Sequence, residues 1–199
     1  MKWNTKVNKI PSIMETMKEI NGKKIQVGVL EGEHQWLAGI HEYGCDIKAK
    51  NVQYLTVPIN ANASGKRARD FDDLFVLESH NGNKFLARKV GKGKTELLYW
   101  LTEKVTIPER SFLRAGHDDV IKDVMRYNDN LLKQVAIGKM SADKYLDDVG
   151  RRLATAVKKF ARDLNDPPNT EATKEVKGSS NPLADTGNMI NGITWRIDD

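Results

Sequence analysis

One apolar stripe limits how this chain can fold more than any other feature. Tyr145, Leu146, Val149, Leu153, Ala156, Val157, Phe160 and Leu164 recur at helical spacing, with charged residues between them. A helix with so continuous an apolar face must be covered, so the remaining segments have to supply a sheet or further helices. Its ends are legible too. Ser141 is a good N-cap, Asp143 suits the positive end of the helix dipole, and the two prolines of NDPPN forbid continuation.

What precedes the stripe alternates between helical and strand-like text. Ile10, Ile13, Met14, Met17 and Ile20, with Pro11 tolerated in the first turn, predict a short amphipathic helix that stops at Asn21-Gly22. KKIQVGVL predicts a strand with Ile25, Val27 and Val29 on one face, and HQWLAGIHEYG predicts a helix closing on Gly44. From about residue 52 to 106 the chain is strand-rich. YLTVPI carries a proline that favours a sheet edge, ANASGKRARD has the composition of an exposed loop, and LFVLES and KFLARKV flank a hairpin turn at Asn81-Gly82. A second turn, GKGK, leads into ELLYWLTEKVTI. The stretch TIPERSFLR then forms a hinge before a helix carrying Val120, Ile121, Val124, Met125, Leu131, Leu132 and Val135, which breaks near Gly138. Residues 165–181 are polar enough to predict a flexible loop, and Ile193, Trp195 and Ile197 predict a closing strand. The expected class is α+β: a mixed or antiparallel sheet packed against two or three helices, with a β-hairpin arm, in a single domain of 199 residues.

Composition excludes several functions. No apolar run approaches the roughly 18 residues of a membrane span, and the N-terminus lacks the uninterrupted apolar segment of a signal peptide, so a soluble protein made in the cytosol is expected. A single cysteine, Cys45, excludes an internal disulfide and a thiolate zinc cluster. GKGKT fails as a phosphate loop because Arg88 stands where the first glycine belongs and the segment joins two strands. His41-Glu42 fails as a zinc-protease helix because Cys45 stands at the second histidine. Ser111 has no nucleophile elbow around it, and Cys45 has no context marking it as a nucleophile. No cofactor, metal or catalytic constellation is expected. The net charge of +5 is mild, but Lys66, Arg67 and Arg69 in one loop, with Lys92 and Lys94 in a turn, offer contacts to DNA or an acidic partner. The competing reading of these cations is a solvated sheet edge whose lysines discourage strand-to-strand aggregation.

Three stretches in order, IHEYG at 40–44, TIPERSFLR at 106–114 and NPLADTGNMINGITWRI at 181–197, resemble segments of the tail-completion and neck proteins of tailed bacteriophages, a group also labelled virion morphogenesis proteins. LTVPI, the basic loop and RDFDDLFV, which precede the hinge, resemble that group as well. Its corner motif is I-P-x-R-P-F, and here Ser111 replaces the second proline while Pro108, Arg110 and Phe112 are kept.

The resemblance implies a non-enzymatic virion component at the head–tail interface that joins or terminates the tail, made in the host bacterial cytoplasm. It implies a homo-oligomeric ring, a hexamer by family analogy. It also implies neighbours such as the tail tube, a head-completion or adaptor protein, and packaged DNA. Structural or interface roles would fall on His41, Glu42, Gly44, Pro108, Arg110, Phe112, Asp185, Thr186 and Gly187. Arg110 is expected to hold the corner through an ion pair or to reach a neighbouring subunit. A basic nucleic-acid-binding protein of phage origin is the alternative.

Overall fold

The computed structural model describes residues 9–91, 93–183 and 187–199. The chain forms two compact units, one comprising Met1–Ala38, Ser111–Arg162 and Asn188–Asp199, the other Gly39–Arg110 and Asp163–Gly187. The α+β class is as expected, with segregated helices and antiparallel strands.

In the first unit the apolar stripe becomes α4, Ala142–Asp163, with Tyr145, Leu146, Val149, Leu153 and Val157 buried. The hydroxyl of Ser141 accepts a hydrogen bond from the amide of Lys144 at 3.4 Å, the capping geometry its position predicts. A two-stranded antiparallel sheet belongs to the same unit: β1, Lys24–Gly28, pairs with β8, Thr194–Asp198, setting Ile25 opposite Ile197 and Val27 opposite Trp195. Trp195 lies so close to Gly150 of α4 that a Cβ there would stand 2.4 Å from its ring. The same unit holds α3, Arg114–Ala136, and α1, Ile10–Asn21. Val124, Leu131 and Val135 of α3 are buried whereas Met125 is exposed, so the packed face is narrower than the apolar spacing predicts. No residue of α1 is buried, and Ile10 and Met14 lie open.

The second unit contains a four-stranded antiparallel sheet in the order β3, Leu55–Pro58; β6, Lys94–Thr102; β5, Lys84–Val90; and β4, Phe75–Glu78. Pro58 sits on an edge strand, where its missing amide costs no ladder bond. Gly82 takes φ +77° in the β4–β5 turn, as the Asn-Gly pair predicts. The sheet has its own small core of Ala63, Leu98 and Tyr99, flanked by Phe71, Leu74 and Leu86. The loop predicted to be exposed is therefore only partly so: Ala63 is fully buried, and Phe71 meets Tyr99 edge-on at 6.1 Å. A separate ribbon pairs β2, Cys45–Lys48, with β7, Lys104–Ile107. Among the described residues the antiparallel strands are thus distributed over three sheets rather than gathered into one. The short β2 escapes a sequence reading because CDIK has no alternating apolar pattern long enough to mark it.

Two further helices are α2, Gln35–Tyr43, and α6, Asn188–Asn191. The polar stretch 165–181 is also more regular than its composition suggests, because it contains α5, Glu171–Lys177. Thr170 caps this helix by accepting from the Thr173 amide at 3.2 Å, and Glu171 occupies its first turn. A good cap and favourable dipole placement can define a single short helix even without an apolar face.

Candidate functional site

The second unit joins two of the three segments that carry the resemblance. The amide of Arg110 donates to the carbonyl of His41 at 2.7 Å, tying the residue after Glu109 to the end of α2. Gly44 then turns the chain at φ +71° directly beneath this tie. A side chain there would bring a Cβ to 2.9 Å from the Glu109 amide nitrogen and 3.0 Å from the Ile107 carbonyl oxygen, so only glycine lets the two backbones approach so closely. β2 leaves Gly44 and β7 arrives at Pro108, and their ladder starts with Cys45 opposite Ile107. Asp46 fastens the ribbon, accepting from the Thr106 hydroxyl at 2.7 Å and pairing with Lys104 at 2.8 Å. The Lys104 ammonium, then the Thr106 hydroxyl, holds the Asp46 carboxyl below its usual pKa.

Arg110 itself points inward and is only 6% exposed. Its Nε donates to the Pro167 carbonyl at 2.9 Å and an Nη to the Pro168 carbonyl at 3.4 Å. Among the described residues Arg110 is therefore held by a guanidinium fork on two backbone carbonyls rather than by the expected ion pair. Proline carbonyls are apt acceptors because NDPPN has no helix in which to use them. Burial lowers the pKa of Arg110 below the ordinary guanidinium value.

Around this fork lies a polar network that no sequence motif announces. Asn169 is buried and its side-chain amide donates to the Asn181 carbonyl at 3.3 Å. Lys177 reaches the carbonyls of Asn181 and Pro182 at 3.5 and 3.4 Å. Asn181 accepts from the Leu183 amide at 2.8 Å, closing an Asx turn over the fully buried Pro182. The turn predicted to be capped by Asp185 or Thr186 lies outside the described residues, as does Lys92; Gly187 has the expected positive φ, +80°. Phe112 is fully buried in the first unit, next to the start of α3.

Among the described residues of the corner, His41 has the large pKa shift. Burial comes first, and the positive charges of Arg110 and Lys177 follow; together they lower its pKa to about 4. Its Nδ1 is enclosed without a hydrogen-bond partner. A neutral imidazole between two cations is poorly suited to accept a proton. Glu42, beside it, is buried. Among the described residues no group of three His, Cys, Asp or Glu side chains could hold a metal ion. The arrangement can fix backbone geometry.

The cations of the four-stranded sheet are sorted by their local partners. Arg67 pairs with Asp70 at 3.2 Å, and Arg88 with Glu96 at 2.7 Å. Lys66 lies over the Phe71 ring at 5.5 Å, while its carbonyl accepts from the Tyr99 hydroxyl at 3.0 Å. Arg69, Lys89 and Lys94 are exposed. Part of the basic cluster thus stabilises the sheet, and part faces solvent.

No protein-family model, no curated protein and no solved structure matches the chain.

Proposed function

We propose that this chain is a structural, non-enzymatic component of a tailed-phage virion that joins or terminates the tail at the head–tail interface by assembling as a ring. One observation carries the reading. The segments 40–44 and 106–110, which carry the family resemblance, are bonded to each other, and the motif residues Gly44 and Arg110 are used to hold backbone against backbone. Residues spent in this way make a stiff protomer, which a closed ring of shape-complementary contacts requires. The neighbours on this reading are the tail tube and a head-completion or adaptor protein, and six copies would match tail symmetry by analogy with the family. Deleting the gene from its phage tests the proposal: the expected result is loss of normal tailed, infectious particles, and their undiminished production rejects it.

A second reading has one observation in its favour, the exposed Arg69, Lys89 and Lys94 on the sheet unit. A DNA-binding role through these cations predicts retention on DNA that falls steeply with salt. Absence of retention at low salt removes it.

A further inference from the structure

In the first unit, α3 and α4 enclose an open groove of about 470 Å³. This volume lies in the range of about 300–1,000 Å³ typical of specific pockets. Its floor is apolar, made by Val120, Val124 and Ala156, and its wall carries Tyr127. The rim is cationic: Arg151, Arg152 and Lys159 line it together with the carboxylate of Asp123. That carboxylate pairs with Arg126 at 3.2 Å, and Arg151 shares its charge with Asp148 at 2.6 Å. Arg152 lies over the Tyr127 ring, 3.1 Å from its centre, so the guanidinium is held as a flat cationic plate at the mouth.

Elsewhere in the same unit a projection has the opposite character. Trp36 lies in the first turn of α2 and is 66% exposed, the kind of large apolar surface that marks a contact site. It follows a turn bearing the exposed carboxylates of Glu31 and Glu33. An exposed indole preceded by two carboxylates, of which Glu33 lies 3.8 Å from the His34 ring, matches an apolar slot rimmed by cations, and tryptophan and arginine are among the residues most enriched at the energetic centres of interfaces.

We infer that the groove between α3 and α4 receives the Trp36 projection of a second copy of this chain. In that contact the indole enters over Val120 and Val124 and stacks on the outer face of Arg152, while Glu31 and Glu33 meet Lys159 and the solvent side of Arg151. The projection and the groove are different surfaces of one chain, so the contact is head-to-tail and repeats from copy to copy, the arrangement that generates rings. The inference deepens the ring reading above and rests on it only for closure of the ring.

Sedimentation equilibrium of the purified full chain at low salt tests it. The wild type is expected to self-associate, more weakly as salt is raised. Trp36→Ala is expected to weaken association at least about tenfold, the loss typical of an interface anchor. The double variant Arg152→Glu/Lys159→Glu should do the same. Because each variant keeps the surface that the other lacks, mixing them should give a one-to-one complex that grows no further. All the substituted side chains are on the surface, and circular dichroism verifies that both variants remain folded. Two results overturn the inference: a wild type that stays monomeric up to its solubility limit, whatever else the groove takes up, or variants that self-associate as the wild type does. Either leaves the virion reading standing, since that depends on the particles made by the deletion phage.

Discussion

Replacing Gly44 by alanine probes the corner on which the proposed role depends. Two costs can be read from the structure. At φ +71° a side chain adds about 1–2 kcal/mol of backbone strain. The new Cβ would also stand 2.9 Å from the Glu109 nitrogen, 3.0 Å from the Ile107 oxygen and 3.3 Å from the Glu109 Cα. Relaxed carbon contacts lie at about 3.5–4.0 Å, and all three neighbours are backbone atoms that no rotamer change can move. Relief therefore requires the chain from Ile107 to Glu109 to shift by roughly half an ångström, against the Arg110–His41 hydrogen bond and the Asp46–Lys104 pair; such overpacking costs about 1–3 kcal/mol. Together the costs predict a destabilisation of about 2–5 kcal/mol. With a urea dependence of about 2 kcal/mol/M, the unfolding midpoint should fall by about 1–2.5 M. Gly39→Ala is the control, because that position is inside α2 and an added methyl there would meet nothing within 4 Å. It should stabilise by about 0.5–1 kcal/mol. If Gly44→Ala unfolds at the wild-type midpoint or above it, the corner is not a rigid element.

Arg110→Lys keeps the charge and loses the fork, leaving at least one of the two proline carbonyls without its charged donor. A loss of about 1–3 kcal/mol in urea unfolding is expected, and an unchanged midpoint would show that the bonds to Pro167 and Pro168 contribute nothing. For His41 the folded pKa of about 4 lies below the ordinary 6.5, so the unfolded chain binds the extra proton more readily. Stability from this group is complete above about pH 6.5 and is lost as pH falls towards 4, by about 1–2 kcal/mol once solvent screening is allowed for. His41→Gln should flatten that slope in denaturation curves recorded from pH 7 to 4; an identical slope refutes the assignment. Gly150→Ala drives a Cβ to 2.4 Å from Trp195, so the indole must move and its hydrogen bond to Asp147 must break. Despite a helix-propensity gain of about 1 kcal/mol, a net loss of about 1–2 kcal/mol and altered tryptophan emission are expected.

Where a residue's own chemistry sets the backbone, the fold is legible in the sequence. Ser141 caps α4, Asn81-Gly82 makes the predicted hairpin, and Pro58 takes an edge, because each acts within a few residues of itself. Periodicity locates α3 and α4 but cannot tell that Met125 faces solvent while Val124 is buried, since the width of a buried face depends on what covers it. Partition into three sheets is hidden for the same reason. β2 finds its partner 60 residues away in β7, and no local pattern encodes a pairing at that distance.

The candidate site shows the same division more sharply. Pro108, Arg110 and Gly44 mark a hinge, and a structural part for them follows from the fixed φ of proline, the permissive φ of glycine and the forked donors of arginine. Their partners are another matter. The acceptors for Arg110 are main-chain oxygens, which every residue possesses, so nothing distinguishes Pro167 and Pro168 in the sequence except that a proline pair cannot enter a helix. An ion pair is a reasonable expectation for a buried guanidinium, yet two carbonyls hold its planar fork without placing a second charge in the interior, and so avoid the desolvation of a carboxylate. This choice bears on function. The orientation of the Arg110 fork therefore does not depend on the ionisation of its acceptors, which are main-chain carbonyls.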